Sequence, residues 1–148
     1  MKRLYPDQPV VGIGVVLVSK GKMVLAKRGN DPGKGKWANP GGIVELGENI
    51  LTTVIREAKE ETNLDVYDPQ LVDVIDTTTI DEEGKIKYHY VIVDYFVKVK
   101  GGELKADSDV VELRWVPLAD VESYVLTSSF REFFTKNRAK LEQLDSYT

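Results

Sequence analysis

Two runs rich in β-branched residues open the ordered pattern of the chain. "VVGIGVVLV" (10–18) and "MVLA" (23–26) lie either side of Lys20-Gly21-Lys22, which predicts one antiparallel hairpin over residues 9–29. The following "NDPGKGKWANPGG" (30–42) holds two prolines and four glycines, too many breakers for more than a short strand near Trp37. The period then changes. From Asn49 to about Thr62, residues Leu51, Val54, Ile55, Ala58 and Thr62 share a stripe about 100° wide at ~100° per residue. This predicts a helix with that stripe packed inward and Asn49 as N-cap. Residues 71–80 and 86–100 read as strands around the turn "DEEG" (81–84), and 111–118 as a further short strand. Phe130, Phe133, Phe134, Asn137, Leu141 and Leu144 recur at helical spacing behind Thr127 and Ser128, predicting a capped amphipathic helix over 128–144. The order strands, helix, strands, helix, with some antiparallel pairing, predicts an α+β fold or mixed-sheet sandwich rather than a doubly wound one.

Composition narrows the picture. A length of 148 residues, 42% hydrophobic and 30% charged, suits one compact domain over 1–148, and no repeat, low-complexity tract or linker divides it. No signal-like apolar run follows Met1, and nothing approaches the roughly 18 apolar residues of a membrane span. A soluble cytoplasmic protein without a membrane partner is the expectation. Zero cysteines exclude disulfides, thiolate nucleophiles and Cys-ligated zinc, and a lone histidine, His89, excludes a multi-histidine metal site. A net charge of −4 provides no broad basic field for a large nucleic acid. A small anionic ligand would need a metal ion or a local group of Lys and Arg to neutralise it.

The chemistry is concentrated in "REAKEET" (56–62). Glu57, Glu60 and Glu61 sit together on the predicted helix although like charges three and four apart cost about 0.2–0.5 kcal/mol per pair. They fall on an arc beside the apolar stripe, at the edge of the buried face, where all three can converge on one point. Three carboxylates within one turn are a hard-oxygen ligand set of the kind Mg²⁺ or Mn²⁺ accepts, with waters and phosphate oxygens completing the shell. A solvated acidic face is the plainer reading of the same residues.

The surroundings decide between these readings. From Gly42 the chain runs five residues to Glu48, then seven to Arg56-Glu57-Ala58-Lys59-Glu60-Glu61-Thr62-Asn63-Leu64. This resembles the Nudix box, in which a Gly, a Glu, an Arg-Glu pair, a Glu-Glu pair, a Gly and an aliphatic residue stand at these spacings. One fixed position differs, Asn63 replacing the last glycine, and Asn is the usual substitute where a helix ends in a left-handed residue. The lead-in "GKWANPGGIVELGE" (35–48) resembles the family too, and "PVVGIGVVLV" and "VELRWVPLADV" extend the likeness more weakly along the chain.

The resemblance implies a Nudix sandwich, a mixed sheet between helices, that hydrolyses a nucleoside diphosphate linked to another group X. It implies that Glu57, Glu60 and Glu61, with the Gly41 carbonyl, hold one or more Mg²⁺ ions (Mn²⁺ as the alternative), and that Arg56 orients Glu57. Glu48 would stand beside the metals as a supporting ligand or candidate base. The first box glycine, Gly42, would sit in a tight bend at the substrate. The general base varies within the family. Asp107, Asp109 and Glu112 are candidates here, Glu112 slightly ahead because a Glu three residues before such a Trp resembles the family pattern.

Among substrate contacts, Arg28 at the end of the second strand faces the 29–36 loop, and Lys34 or Lys36 could close over a phosphate. Trp37 and His89 are candidates for the nucleotide pocket, with core anchoring and an ordinary strand position as their plainer readings. "GIG" (12–14) and "GKGK" (33–36) continue into no phosphate-loop motif. The flanks look like ADP-ribose pyrophosphatase-type members, giving ADP-ribose as the leading substrate. However, Thr79 and Ile80 stand where such members often carry a proline. The rivals are a MutT-like hydrolase of oxidised or surplus nucleoside triphosphates and a non-catalytic nucleotide-binding module. The N-terminal "MKRLYPDQP" reads as an exposed arm that would be free to exchange between the subunits of a homodimer.

Overall fold

The computed structural model describes residues 2–107 and 109–147. In chain order the elements are β1 (Val10–Val16), β2 (Val18–Ser19), β3 (Lys22–Arg28), β4 (Trp37–Ala38), β5 (Gly41–Ile43), α1 (Ile50–Thr62), β6 (Asp65–Ile80), β7 (Ile86–Gly101), β8 (Val110–Pro117), a 3-10 turn (Leu118–Ser123) and α2 (Ser128–Leu141). One sheet has the order β5-β1-β7-β6 and is mixed, β1 running parallel to β7 while the other pairs are antiparallel. The second is built on β3, which pairs with β8 along its length and with β2 and β4 at its two ends. The α+β sandwich expected from element order is the observed architecture.

The expected hairpin over 9–29 is not formed as one unit. β1 belongs to the first sheet, and only the two-residue β2 folds back on β3. Val15, Val16, Leu17 and Val18 are all fully buried, so the run has no polar alternation to pin it to a single sheet. The chain changes sheets at Leu17. The turn itself is as tight as the sequence suggests: Lys20 and Gly21 both adopt positive φ (52° and 75°), the pair of values a two-residue hairpin turn of matching twist requires.

β6 starts six residues before 71 and runs through Pro69. An edge strand tolerates this because the pairing with β7 is irregular between Tyr67 and Gln70, where Asp68 takes φ 51°. Alternation then divides the first sheet between two cores. Ile13, Val15, Leu17 and Val97 pack with Val54, Ala58 and Leu64 on the α1 side. Val16, Ile75 and Phe96 pack with Phe130, Phe133 and Phe134 on the α2 side. The final helix ends at Leu141, three residues short of expectation, although Leu144 still packs on the second core. Thr127 is its cap, accepting from Phe130 N at 3.2 Å.

Beyond α2 the chain returns to the junction of the two sheets. Ser146 N–H donates to the Val18 carbonyl at 2.6 Å, and its hydroxyl accepts from Val18 N at 3.0 Å. Its carbonyl accepts from Val99 N of β7 at 2.7 Å, so one buried serine is bonded to both sheets.

The limits of α1 follow expectation, but its rotation does not. Asn49 caps it by accepting from Leu51 N at 2.9 Å. Leu51 and Ile55, expected inward, are 43% and 45% exposed, while Thr53, Val54, Glu57, Ala58, Glu61 and Thr62 form the buried face. Hydrophobicity alone cannot anticipate this rotation, because the helix leans on Gly41 and Gly42 of β5, whose missing side chains leave room for carboxylates. Asn63 ends the helix at φ 64°, its N–H donating to Lys59 O at 3.0 Å and its side chain to Glu103 O at 2.9 Å. Asn63→Ala is expected to cost about 1–2 kcal/mol by forcing a Cβ into the left-handed region, whereas Asn63→Gly stays near neutral. Urea midpoints for the two variants check this.

Candidate active site

A cleft of about 710 Å³ opens where the end of β3, the 29–36 loop, β5 and α1 come together with the α2-side face of the first sheet. Glu57, Glu60 and Glu61 line it, as do Gly41, Gly42 and Arg28. The sequence places the three acids at the edge of the buried face; in the structure Glu57 and Glu61 are 8% and 9% exposed, and only Glu60 reaches solvent.

Arg56 organises this cluster. Its Nε and Nη2 donate to the two carboxylate oxygens of Glu48 at 2.8 and 2.9 Å, a bidentate pair with fixed geometry. Its Nη1 donates to Glu57 Oε1 at 2.7 Å and to Glu60 Oε2 at 3.1 Å. Thr53 Oγ1 donates to Glu48 at 2.6 Å. The Arg56 and Thr53 hydrogen bonds hold the Glu48 carboxyl down at about 2, so it retains almost no affinity for a proton at neutral pH. Glu48 does not line the cleft. Glu48 thus anchors Arg56.

Glu61 has no comparable compensation. Burial pushes its carboxyl up to about 7, and the Gly41 N–H (2.8 Å) and the field of Arg28 offset this only in part. Burial raises Glu57 as well, against the pull of Arg56. Repulsion along α1 is thus relieved at Glu57 and Glu60 by an arginine.

As the side chains stand, no three acidic or histidine side chains among the described residues are gathered tightly enough to hold an ion. The donor set nevertheless fits a hard divalent cation. Two buried carboxylates and a half-exposed third stand beside a glycine pair, and Glu61 forms no ion pair among the described residues. Gly42 is needed for this packing: a Cβ there would lie 2.2 Å from the Glu57 carboxyl carbon.

On the α2-side face, Asp94 is 4% exposed, accepts from Asn39 Nδ2 at 3.3 Å, and is pushed up to about 7 by burial. Gly14 makes room for it, since a Cβ at that position would meet Asp94 Oδ1. Glu61 and Asp94 both bind a proton more tightly folded than unfolded. Their contribution to stability is therefore greatest below their ordinary values, 4.5 and 3.8, and is lost as pH rises through about 7. Metal-free protein is expected to lose up to about 3 kcal/mol per group between pH 5 and 8. Urea titrations in chelator check this, with Glu61→Gln and Asp94→Asn each flattening the slope.

The model of the NUDIX domain matches residues 7–136. The chain belongs to the Nudix family. An ADP-ribose pyrophosphatase of Methanocaldococcus jannaschii is 38% identical over 116 residues, covering 78% of this chain and 66% of that protein. The match thus spans just under two thirds of the archaeal relative. YvcI of Bacillus subtilis, an uncharacterized Nudix hydrolase, is 27% identical over 136 residues, covering 90% of this chain and 84% of that one. The crystal structure of a MutT NUDIX hydrolase from Burkholderia pseudomallei superposes with a TM-score of 0.70 at 30% identity, covering 93% of this chain and 99% of that one.

Within the Nudix frame the other sequence candidates divide. Arg28 and Lys36 line the cleft, and Arg28 Nε donates to Pro32 O at 2.6 Å; Lys34 is exposed outside it. Asp109 lines the cleft, whereas Asp107 and Glu112 do not. Glu112 is bonded to Arg114, which lies over the Trp37 ring at 5.2 Å. Strand alternation places Glu112 and Arg114 together on one face of β8. Trp37 is 7% exposed in the core, edge-on to Tyr124, and so is not a cleft residue. His89 lies outside the cleft for a similar reason: Tyr88, Tyr90, Ile92 and Asp94 line it, so the alternate residue points to the other face. The same period of two along β7 would have identified those four residues, had the cleft face of the strand been known.

Proposed function

We propose that the chain is a Mg²⁺-dependent pyrophosphohydrolase acting on a nucleoside diphosphate linked to X, with ADP-ribose, cleaved to AMP and ribose 5-phosphate, as its leading substrate. The observation that carries this reading is the pair of buried box carboxylates, Glu57 and Glu61, packed against Gly41 and Gly42 in the wall of the cleft. The archaeal ADP-ribose pyrophosphatase supports the choice of substrate. Glu57, Glu60 and Glu61, with the Gly41 carbonyl, would hold the metal. A divalent cation bound there would supply charge neutralisation for phosphate oxygens and make the attacking water more acidic.

The remaining roles belong to the chain itself. Arg56 presets Glu57 and Glu60, and Glu48 fixes Arg56. Arg28 and Lys36 place positive charge beside the phosphates in a protein of net charge −4. Asp109, the base candidate that faces the cleft, takes precedence over Glu112 and Asp107 as acceptor of the water's proton.

A second reading, hydrolysis of nucleoside triphosphates, is favoured by the MutT structure at 30% identity and by Thr79 and Ile80 standing in place of a proline. Incubation with ADP-ribose and a triphosphate panel under Mg²⁺ and Mn²⁺, with products resolved chromatographically, separates the two. AMP and ribose 5-phosphate are expected; triphosphate cleavage with ADP-ribose intact reverses the order. A pure binding module would leave every nucleotide uncut.

A further inference from the structure

The end of the cleft distant from the carboxylates has a construction of its own. Along β7 the cleft-facing residues run Tyr88, Tyr90, Ile92, Asp94, and the register with β6 sets Thr79 beside Tyr88 and Thr77 beside Tyr90. The two tyrosine rings are stacked, with centroids 6.3 Å apart and planes 24° from parallel. Lys87 Nζ lies over the Tyr88 ring at 5.9 Å. Arg3 completes this end of the cleft, carried there by the N-terminal arm. Tyr5 ties the arm to the turn between β6 and β7. Tyr5 N–H donates to the Lys87 carbonyl at 2.8 Å, and Tyr5 Oη donates to Asp81 Oδ2 at 2.7 Å.

Aromatic faces beside two cations and two hydroxyls suit a planar ring carrying hydrogen-bond acceptors, and cations strengthen such stacking. The position suits one too. Tyr90 pairs across the sheet with Val10, and Gly42 with Ile13, so three residues of strand, about 10 Å, separate the tyrosine level from the glycine against which Glu57 packs. A base at one level would leave its ribose and diphosphate to extend toward the other.

We propose that this end of the cleft, walled by Tyr88 and Tyr90 and closed by Arg3 on the Tyr5-fastened arm, seats the nucleobase of the substrate. The inference rests on the nucleotide-hydrolase reading and adds a specificity site to it. Arg3 and Lys87 donate to ring or exocyclic acceptors of the base, Thr77 and Thr79 provide hydroxyls that select among bases, and Tyr5 holds Arg3 in reach.

The test is equilibrium binding of the two product halves, AMP and ribose 5-phosphate, by titration calorimetry on the full chain. Wild type should bind AMP at least tenfold more tightly than ribose 5-phosphate, the margin a stacked base contributes. Tyr90→Leu, which keeps a strand-compatible apolar side chain, should reduce that ratio about tenfold, and Arg3→Ala and Tyr5→Phe should each reduce it severalfold. Thermal melts establish that each variant is folded. Variants that keep the wild-type ratio, or a wild type that cleaves ADP-ribose without preferring AMP, overturn the base seat alone. Failure of the wild type to cleave any nucleotide strikes the underlying functional reading instead.

Discussion

Glu61→Gln is expected to lower turnover at least a hundredfold, with the fold intact. The side chain is buried, accepts from Gly41 N–H, and has its carboxyl pushed up to about 7 by desolvation. Glutamine matches its size and can still accept that hydrogen bond through its amide oxygen, so little packing is lost. What disappears is a negative charge in a low-dielectric site, where its attraction for a cation is strongest. A loss of about 3 kcal/mol in transition-state stabilisation corresponds to the stated factor. Because the neutral amide removes an ionisable group that favours folding when protonated, Glu61→Gln should match or exceed wild type in metal-free stability at pH 8. Steady-state rates under saturating Mg²⁺, set beside urea midpoints in chelator, check both halves. Wild-type turnover in this variant and in Glu57→Gln would remove the metal assignment.

Gly42→Ala is expected to act nearly as strongly from the other side of the same contact. The added Cβ would stand 2.2 Å from the carboxyl carbon of Glu57 and 2.3 Å from each of its oxygens. That carboxylate is held by Arg56, which is itself held by Glu48, so moving it disturbs the whole guanidinium cluster. Displacing one preset group by about 1 Å is enough to cost around a hundredfold in rate. Gly42 has an ordinary negative φ, so alanine meets no backbone penalty and the stability loss should stay within the 1–3 kcal/mol of a local overpacking. A rate loss much larger than the loss of stability would assign the glycine to the site. Parallel losses would make it a packing residue.

Much of this site is legible in the chain because its chemistry is local. Arg56, Glu57, Glu60 and Glu61 belong to one helix, Asn49 and Asn63 bracket that helix, and the role of Asn63 follows from backbone sterics alone. Residues brought together by pairing were harder to read. Asp94 and Tyr90 enter the cleft that the acids line only after β7 joins β1, and Asp109 joins it from the segment leading into β8. The division of β1 from β2 escaped for a related reason, since a run buried on every face carries no mark of which sheet each half joins. The tilt of α1 depends on the bare backbone of Gly41 and Gly42, and apolar spacing along the helix does not register a neighbour with no side chain.

The serine that bonds to both sheets has a practical bearing. Trimming the chain by a few residues at that end would cut three hydrogen bonds at the point where the strands of one layer give way to those of the other. Amide protons of Val18 and Val99 should then exchange faster with solvent, well before the helices loosen. An affinity handle or immobilising linker placed beside Ser146 risks prising the layers apart.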